Sequence, residues 1–95
     1  MPEAADLQAA IAALWNDARP RLLARVDALE SAASGPFDAA ARDHALIEAH
    51  TLTGTLGAFG RMDASDAARA AERALEAADR DALAEAVRTL RALML

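Results

Sequence analysis

Two residues in this 95-residue chain carry an imidazole, His44 and His50, and they bound the chemistry it can do. A free imidazole is largely neutral near pH 7, so it can serve as nucleophile, base or metal ligand. The pair lies six positions apart, about 240° net around a helix. Two ligands on one regular helix grip a metal from positions three or four apart, so no metal site is expected here. There is no Cys to supply a thiolate. Seven Ser and Thr residues are present, but no Gly-x-Ser-x-Gly turn that would expose a serine nucleophile. No GxxxxGK[ST] and no strand-linked GxGxxG is present, so binding of ATP or NAD by this chain is not expected.

His50 stands out for its neighbours on the helix. Thr53, Gly54 and Gly57 sit three, four and seven positions later, on the same helix face, and Ile47 sits three before. Gly within a helix is less favourable than Ala by roughly 0.5–1 kcal/mol. In a chain with 29 alanines, Ala was available at both glycine positions. Two explanations compete. The missing methyl groups could allow tight helix–helix packing, or they could let another protein's backbone approach the imidazole. His44 reads as a solvated or partly packed helix residue.

The elements that must hold His50 are helical. Val, Ile, Thr and Tyr number two, two, four and none, which is too few for a sheet. Ala, Leu, Arg and Glu favour helix throughout. One domain fits the length. The first segment runs from about Glu3 to Ser34, with an apolar stripe of Leu7, Ile11, Leu14, Ala18, Leu22, Val26, Leu29 and Ala33. Pro20 interrupts it, which predicts one bent helix or two helices joined with a break near Asp17–Arg19. Ser34, Gly35 and Pro36 stop it. The second segment runs from about Phe37 to Phe59, with Asp38 as N-cap, a seam of Ala45, Ala49, Leu52, Leu56 and Phe59, and Gly60 as the C-terminal stop. The third runs from about Asp63 or Ala64 to Ala78, capped by Asp63 or Ser65, with Ala64, Ala67 or Ala68, Ala71, Leu75 and Ala78 inward. The fourth starts near Asp79 or Asp81 and carries Leu83, Val87, Leu90 and Met94. Short connections make sequential helices antiparallel neighbours, so the expected fold is all-α, an up-down four-helix bundle. Trp15 reads as an anchor near one bundle end.

Charge narrows the partners. All ten basic residues are Arg and the net charge is −5, which argues against nucleic acid. No apolar run is long enough to span a membrane, and the start MPEAADLQ lacks a signal-peptide pattern, so a soluble cytoplasmic protein is expected.

The run Ala49-His50-Thr51-Leu52-Thr53-Gly54-Thr55-Leu56-Gly57-Ala58-Phe59-Gly60 resembles the signature of histidine-containing phosphotransfer (HPt) domains, roughly A-H-x-L-K-G-[ST]-[AL]-G-x-[FL]-G. Ala64-Ser65-x-x-Ala68-x-x-Ala71-Glu72 is similar to that family's next helix, and Leu14-Trp15 through Glu30 also resembles members of the group. The resemblance implies a four-helix bundle with one phosphoacceptor, here His50, phosphorylated on Nε2. It implies relay of a phosphoryl group between receiver-domain aspartates, from a hybrid histidine kinase to a response regulator, with neither autokinase nor ATPase activity. It implies no cofactor on this chain, with Mg²⁺ and a Lys supplied by the receiver. One departure is clear: many members have Lys three residues after the His, where this chain has Thr53.

In that frame His50 is the nucleophile, Gly54 and Gly57 give access, Thr53 touches a phosphate oxygen, and Ile47 offers an apolar docking surface. Leu46 reads as core filling and Glu48 as pointing to the side; Arg61, Arg69 and Arg73 follow the site, with Arg69 and Arg73, one turn apart, reading as a mostly solvated face. A monomer suffices for this chemistry. The competing readings are a non-catalytic helical interaction module, and the dimerisation helix pair of a sensor kinase. The latter would show an acidic residue after the His and a downstream Pro, where Thr51 and Leu52 stand.

Overall fold

In a computed structural model, which describes residues 2–95, the chain forms four α-helices: α1 (Pro2–Ser34), α2 (Ala39–Ala58), α3 (Met62–Glu76) and α4 (Arg80–Leu93). Each packs on its neighbour in sequence, and α1 also packs on α4, which closes the ring. None of them is long and apolar enough to cross a membrane.

The helix ends follow from local chemistry. Asp38 accepts from the Ala41 amide at 2.8 Å and Asp79 from the Ala82 amide at 3.0 Å, satisfying amides that the first turn leaves free. At the end of α2, Gly60 (φ +75°) donates to Gly57 O and Arg61 donates to Leu56 O, both at 2.9 Å. That paired arrangement needs a left-handed residue, which Gly adopts without strain. The same arrangement ends α3, but there Ala78 takes the left-handed conformation (φ 52°). Ala78 was expected on the inner face of α3; it lies outside the helix and is exposed. Neither Asp63 nor Ser65 caps α3: the cap position is Arg61, with no side-chain hydrogen bond, and Ser65 is buried one turn further in.

The core is one cluster. Ala45, Ala49, Leu52 and Leu56 of α2 meet Leu83, Val87, Leu90 and Met94 from the last segment, with Ala64, Ala68, Ala71 and Leu75 of α3 and Leu22, Val26 and Leu29 of α1. Leu29, Leu52, Leu56, Leu83 and Leu90 are fully buried, and truncating any of them to Ala should cost about 2–5 kcal/mol. Trp15 anchors one end, edge-on to Phe59 at 5.4 Å, with the Arg61 guanidinium 3.8 Å over its ring. Arg19 closes the same end by donating to Met94 O at 2.6 Å. At the other end Arg80 donates to Ala33 O and Gly35 O, both at 2.8 Å, and stacks over Phe37. Arg91 ties α4 to α1 through Asp27 at 2.9 Å and through Glu30.

At Pro20 the structure takes the first of the two expected alternatives: α1 is one continuous helix, with no break near Asp17–Arg19. Pro20 sits on the exposed side, and so does Asn16, whose carbonyl it leaves without a helical amide. Leu7, Ile11 and Leu14 were expected in the buried stripe and are exposed. The other helices are less than two-thirds the length of α1, so the bundle ends at Trp15 and the first turns of α1 stand clear of it.

Candidate functional site

His50 projects from the middle of α2, where its phase decides its exposure. Ala49, Leu52 and Leu56 take the core, which leaves position 50 well over a quarter-turn away from it. The imidazole is 81% exposed. It lines a groove of about 490 Å³ between α2 and α3, with Leu46, Ile47, Thr51, Glu72 and Glu76. Ile47, 64% exposed, stands one turn before it on the same surface. Leu46 is half-buried and packs against the core. His44 is exposed and does not line the groove.

One contact orients the ring. Nδ1 of His50 lies 3.3 Å from Oε2 of Glu72 on α3. A carboxylate only accepts, so the neutral tautomer that fits this contact carries its proton on Nδ1 and leaves the Nε2 lone pair free. Glu72 is itself held: its side chain is only 17% exposed, and Thr53 Oγ1 donates to Oε1 at 2.5 Å. The Thr53 hydroxyl also lies 2.9 Å from Ala49 O, one turn back. Its single proton favours the shorter, charge-assisted bond. Ser65 Oγ donates to Thr53 O at 2.8 Å and pins the two helices together below the site.

The two glycines have different surroundings. At Gly54, nothing comes within 4 Å of the place a Cβ would occupy. No helix of this chain needs the missing methyl. At Gly57 a Cβ would meet Ser65 Oγ at 3.5 Å, an ordinary contact. Gly57 therefore faces α3, while Gly54 leaves an open surface one turn beyond His50.

The groove carries two carboxylates and no Arg in its lining. Arg69 is paired with Asp66 at 3.6 Å, Arg73 is exposed, and Arg61 is committed to Trp15. On the far side of α2, Glu48 pairs with Arg25 at 2.8 Å. Among the described residues, no group of three or more His, Asp or Glu side chains could hold a metal ion.

Glu72 is the site residue that sequence reasoning missed. Its neighbours Ala68 and Leu75, four before and three after, are buried in the core, and Glu72 lies half-buried at the edge of that strip of α3. A carboxylate there was a signal that it had a partner. Antiparallel pairing about the Gly60 turn sets position 72 against position 50, but that register depends on both helix ends.

The family model of the Hpt domain matches residues 2–95. No curated protein and no solved structure gave a match.

Proposed function

The chain belongs to the Hpt domain family, and on that premise we propose that it relays a phosphoryl group between receiver-domain aspartates through His50. The observation that carries this reading is the exposed ring whose Nδ1 meets Glu72, which leaves Nε2 free beside the open surface at Gly54.

The step needs no proton transfer. The Nε2 lone pair attacks the phosphorus of an aspartyl phosphate in line. The N–P bond forms as the P–O bond breaks, and the receiver's carboxylate leaves with the bonding pair. The ring becomes cationic, with its Nδ1 proton still directed at Glu72 Oε2, a charge-assisted bond that strengthens as the reaction proceeds. Attack by a second receiver's carboxylate on the same phosphorus returns the ring to its neutral form. The transition state is loose, so positioning and charge neutralisation supply most of the catalysis.

Thr53 acts through Glu72, holding the carboxylate toward the ring. Gly54 admits the backbone of the partner, Gly57 faces α3 below the site, and Ile47 supplies apolar contact to the receiver. The groove brings no cation of its own to the phosphoryl group, so the receiver brings Mg²⁺ and a Lys. One chain suffices for the chemistry, and the setting is cytoplasmic.

The test is transfer from a phosphorylated receiver domain. Wild-type protein should acquire an acid-labile, base-stable label, His50→Gln should acquire none while keeping its helical circular dichroism, and His44→Gln should label normally. Label persisting in His50→Gln would move the acceptor elsewhere. Absence of label on wild type from every receiver would leave a helical interaction module as the better reading.

A further inference from the structure

The first turns of α1 form a surface that the phosphotransfer site does not use. Every side chain from Glu3 to Leu14 is exposed. Leu7, Ile11 and Leu14 are 62%, 45% and 60% exposed, three large apolar side chains on about three turns of helix. This segment spans roughly 20 Å at ~1.5 Å per residue, close to the 19 × 18 Å cross-section of the molecule.

Two of the three do not belong to the core stripe at all. Glu3, Leu7, Ala10, Leu14, Asp17, Arg21, Ala24 and Ala28 follow one another at alternating steps of four and three. That is the repeat of a second helix-pairing seam. It runs along a different face from Trp15, Ala18, Leu22, Val26 and Leu29, which are buried. Its Arg21, Ala24 and Ala28 line a groove of about 350 Å³ on the outer side of α1 and α2.

We propose that this second seam is a homodimer surface on which the α1 helices of two copies pair antiparallel. The pattern of charge and size selects the occupant. Aligning Leu14 of each copy with Ala10 of the other sets a large side chain against a small one at two symmetric places. The same register brings Glu3 of each copy opposite Arg21 of the other, at the mouth of the groove. Leu7 then lies beside Asp17, whose carboxylate is held by Arg21 at 3.7 Å. A parallel pair would instead put Glu3 on Glu3, Asp17 on Asp17 and Arg21 on Arg21. A two-fold axis makes each contact twice, which is how a short seam can reach useful affinity. A seam of about five turns of a single helix pair lies at the low end of specific interfaces, so the dimer is reversible and concentration-dependent. The single chain that suffices for the chemistry is thus the subunit of a weak pair. His50 faces α3, on the other side of α2 from this seam, and stays open in both states.

Sedimentation equilibrium of the full chain from about 5 to 500 µM tests the surface. The apparent mass should rise from 9.9 kDa toward twice that value. Leu7→Glu/Leu14→Glu should hold it at the monomer mass at every concentration, with His50 labelling unchanged. Register is tested by oxidising an equimolar mixture of Ala10→Cys and Leu14→Cys chains, since the natural sequence has no Cys. The mixed disulfide should exceed either homodisulfide several-fold. A constant monomer mass for wild type, a mass increase that survives the double Glu variant, or predominance of the homodisulfides would each overturn the proposal.

Discussion

The ring of His50 reaches α3 through one atom pair, Nδ1 against Oε2 of Glu72 at 3.3 Å. The contact is asymmetric. His50 is among the most exposed polar side chains of α2, whereas Glu72 is mostly covered and fixed by Thr53. The acid therefore sets the ring's orientation.

That asymmetry predicts a tautomer effect. A net hydrogen bond is worth about 0.5–1.5 kcal/mol, or roughly two- to tenfold in a tautomer ratio. Nitrogen-15 NMR of wild type should show an excess of the Nδ1–H form of His50. In Glu72→Ala that excess should fall by about this factor and phosphorylation should slow, while Glu72→Gln, whose carbonyl still accepts, should lie between them. An identical tautomer ratio in wild type and Glu72→Ala would remove Glu72 from its orienting role.

Thr53 permits a charge test. The groove lining holds Glu72 and Glu76 and no cation. Thr53→Lys should add an ammonium next to Glu72 and within reach of a phosphoryl group on Nε2. Loss of phosphate from phosphorylated His50, followed over time on acid-sensitive gels, should slow by about two- to tenfold, since hydrogen bonds to charged groups are worth about 1.5–3 kcal/mol before exposure reduces them. Unchanged or faster loss would show that charge at this position does not govern the lifetime of the phosphorylated ring.

Much of this was legible in the residues because α2 and the last segment each carry a single apolar stripe. Ala45, Ala49, Leu52 and Leu56, and likewise Leu83, Val87, Leu90 and Met94, could only be the inner face, and they are buried. The same phase argument put His50 outside. In α1 the argument failed because alanine fills the gaps between two seams. Leu7 and Leu14 keep a helical spacing to Ala18 although they lie on another face. Only the lengths of α2, α3 and α4, which end the bundle at Trp15, separate the two seams. Glu72 was hidden for a different reason: its partner lies 22 residues away in sequence, across a helix pair. The left-handed Ala78 was hidden because nothing in its local sequence marks a conformation that Gly usually supplies.

Gly54 separates packing from access. Its Cβ position is empty to 4 Å, so Gly54→Ala should stabilise the fold by about 0.5–1 kcal/mol, raising the thermal midpoint by several degrees. Gly54→Leu should also fold, since a side chain there points into open space, but it should slow phosphoryl transfer by at least about tenfold, because the partner's backbone can no longer approach. Transfer at the wild-type rate in a folded Gly54→Leu protein would show that the bare surface is not where the receiver docks.

The ends of α2 and α3 make a matched pair that isolates one backbone term. Both are closed by the same two hydrogen bonds, and both place one residue in the left-handed region, Gly60 at φ +75° and Ala78 at φ 52°. Both residues are exposed, and a Cβ at Gly60 would meet nothing within 4 Å. The difference between them is thus the cost of holding an L-residue left-handed, about 1 kcal/mol, partly offset by the extra freedom Gly gains in the unfolded chain. Urea unfolding should show Ala78→Gly more stable than wild type by about 0.5–1 kcal/mol and Gly60→Ala less stable by a similar amount. The double variant should return close to wild type, because the two turns lie at opposite ends of the bundle and share no contacts. Destabilisation by Ala78→Gly would mean that the methyl of Ala78 contributes more than its backbone strain removes.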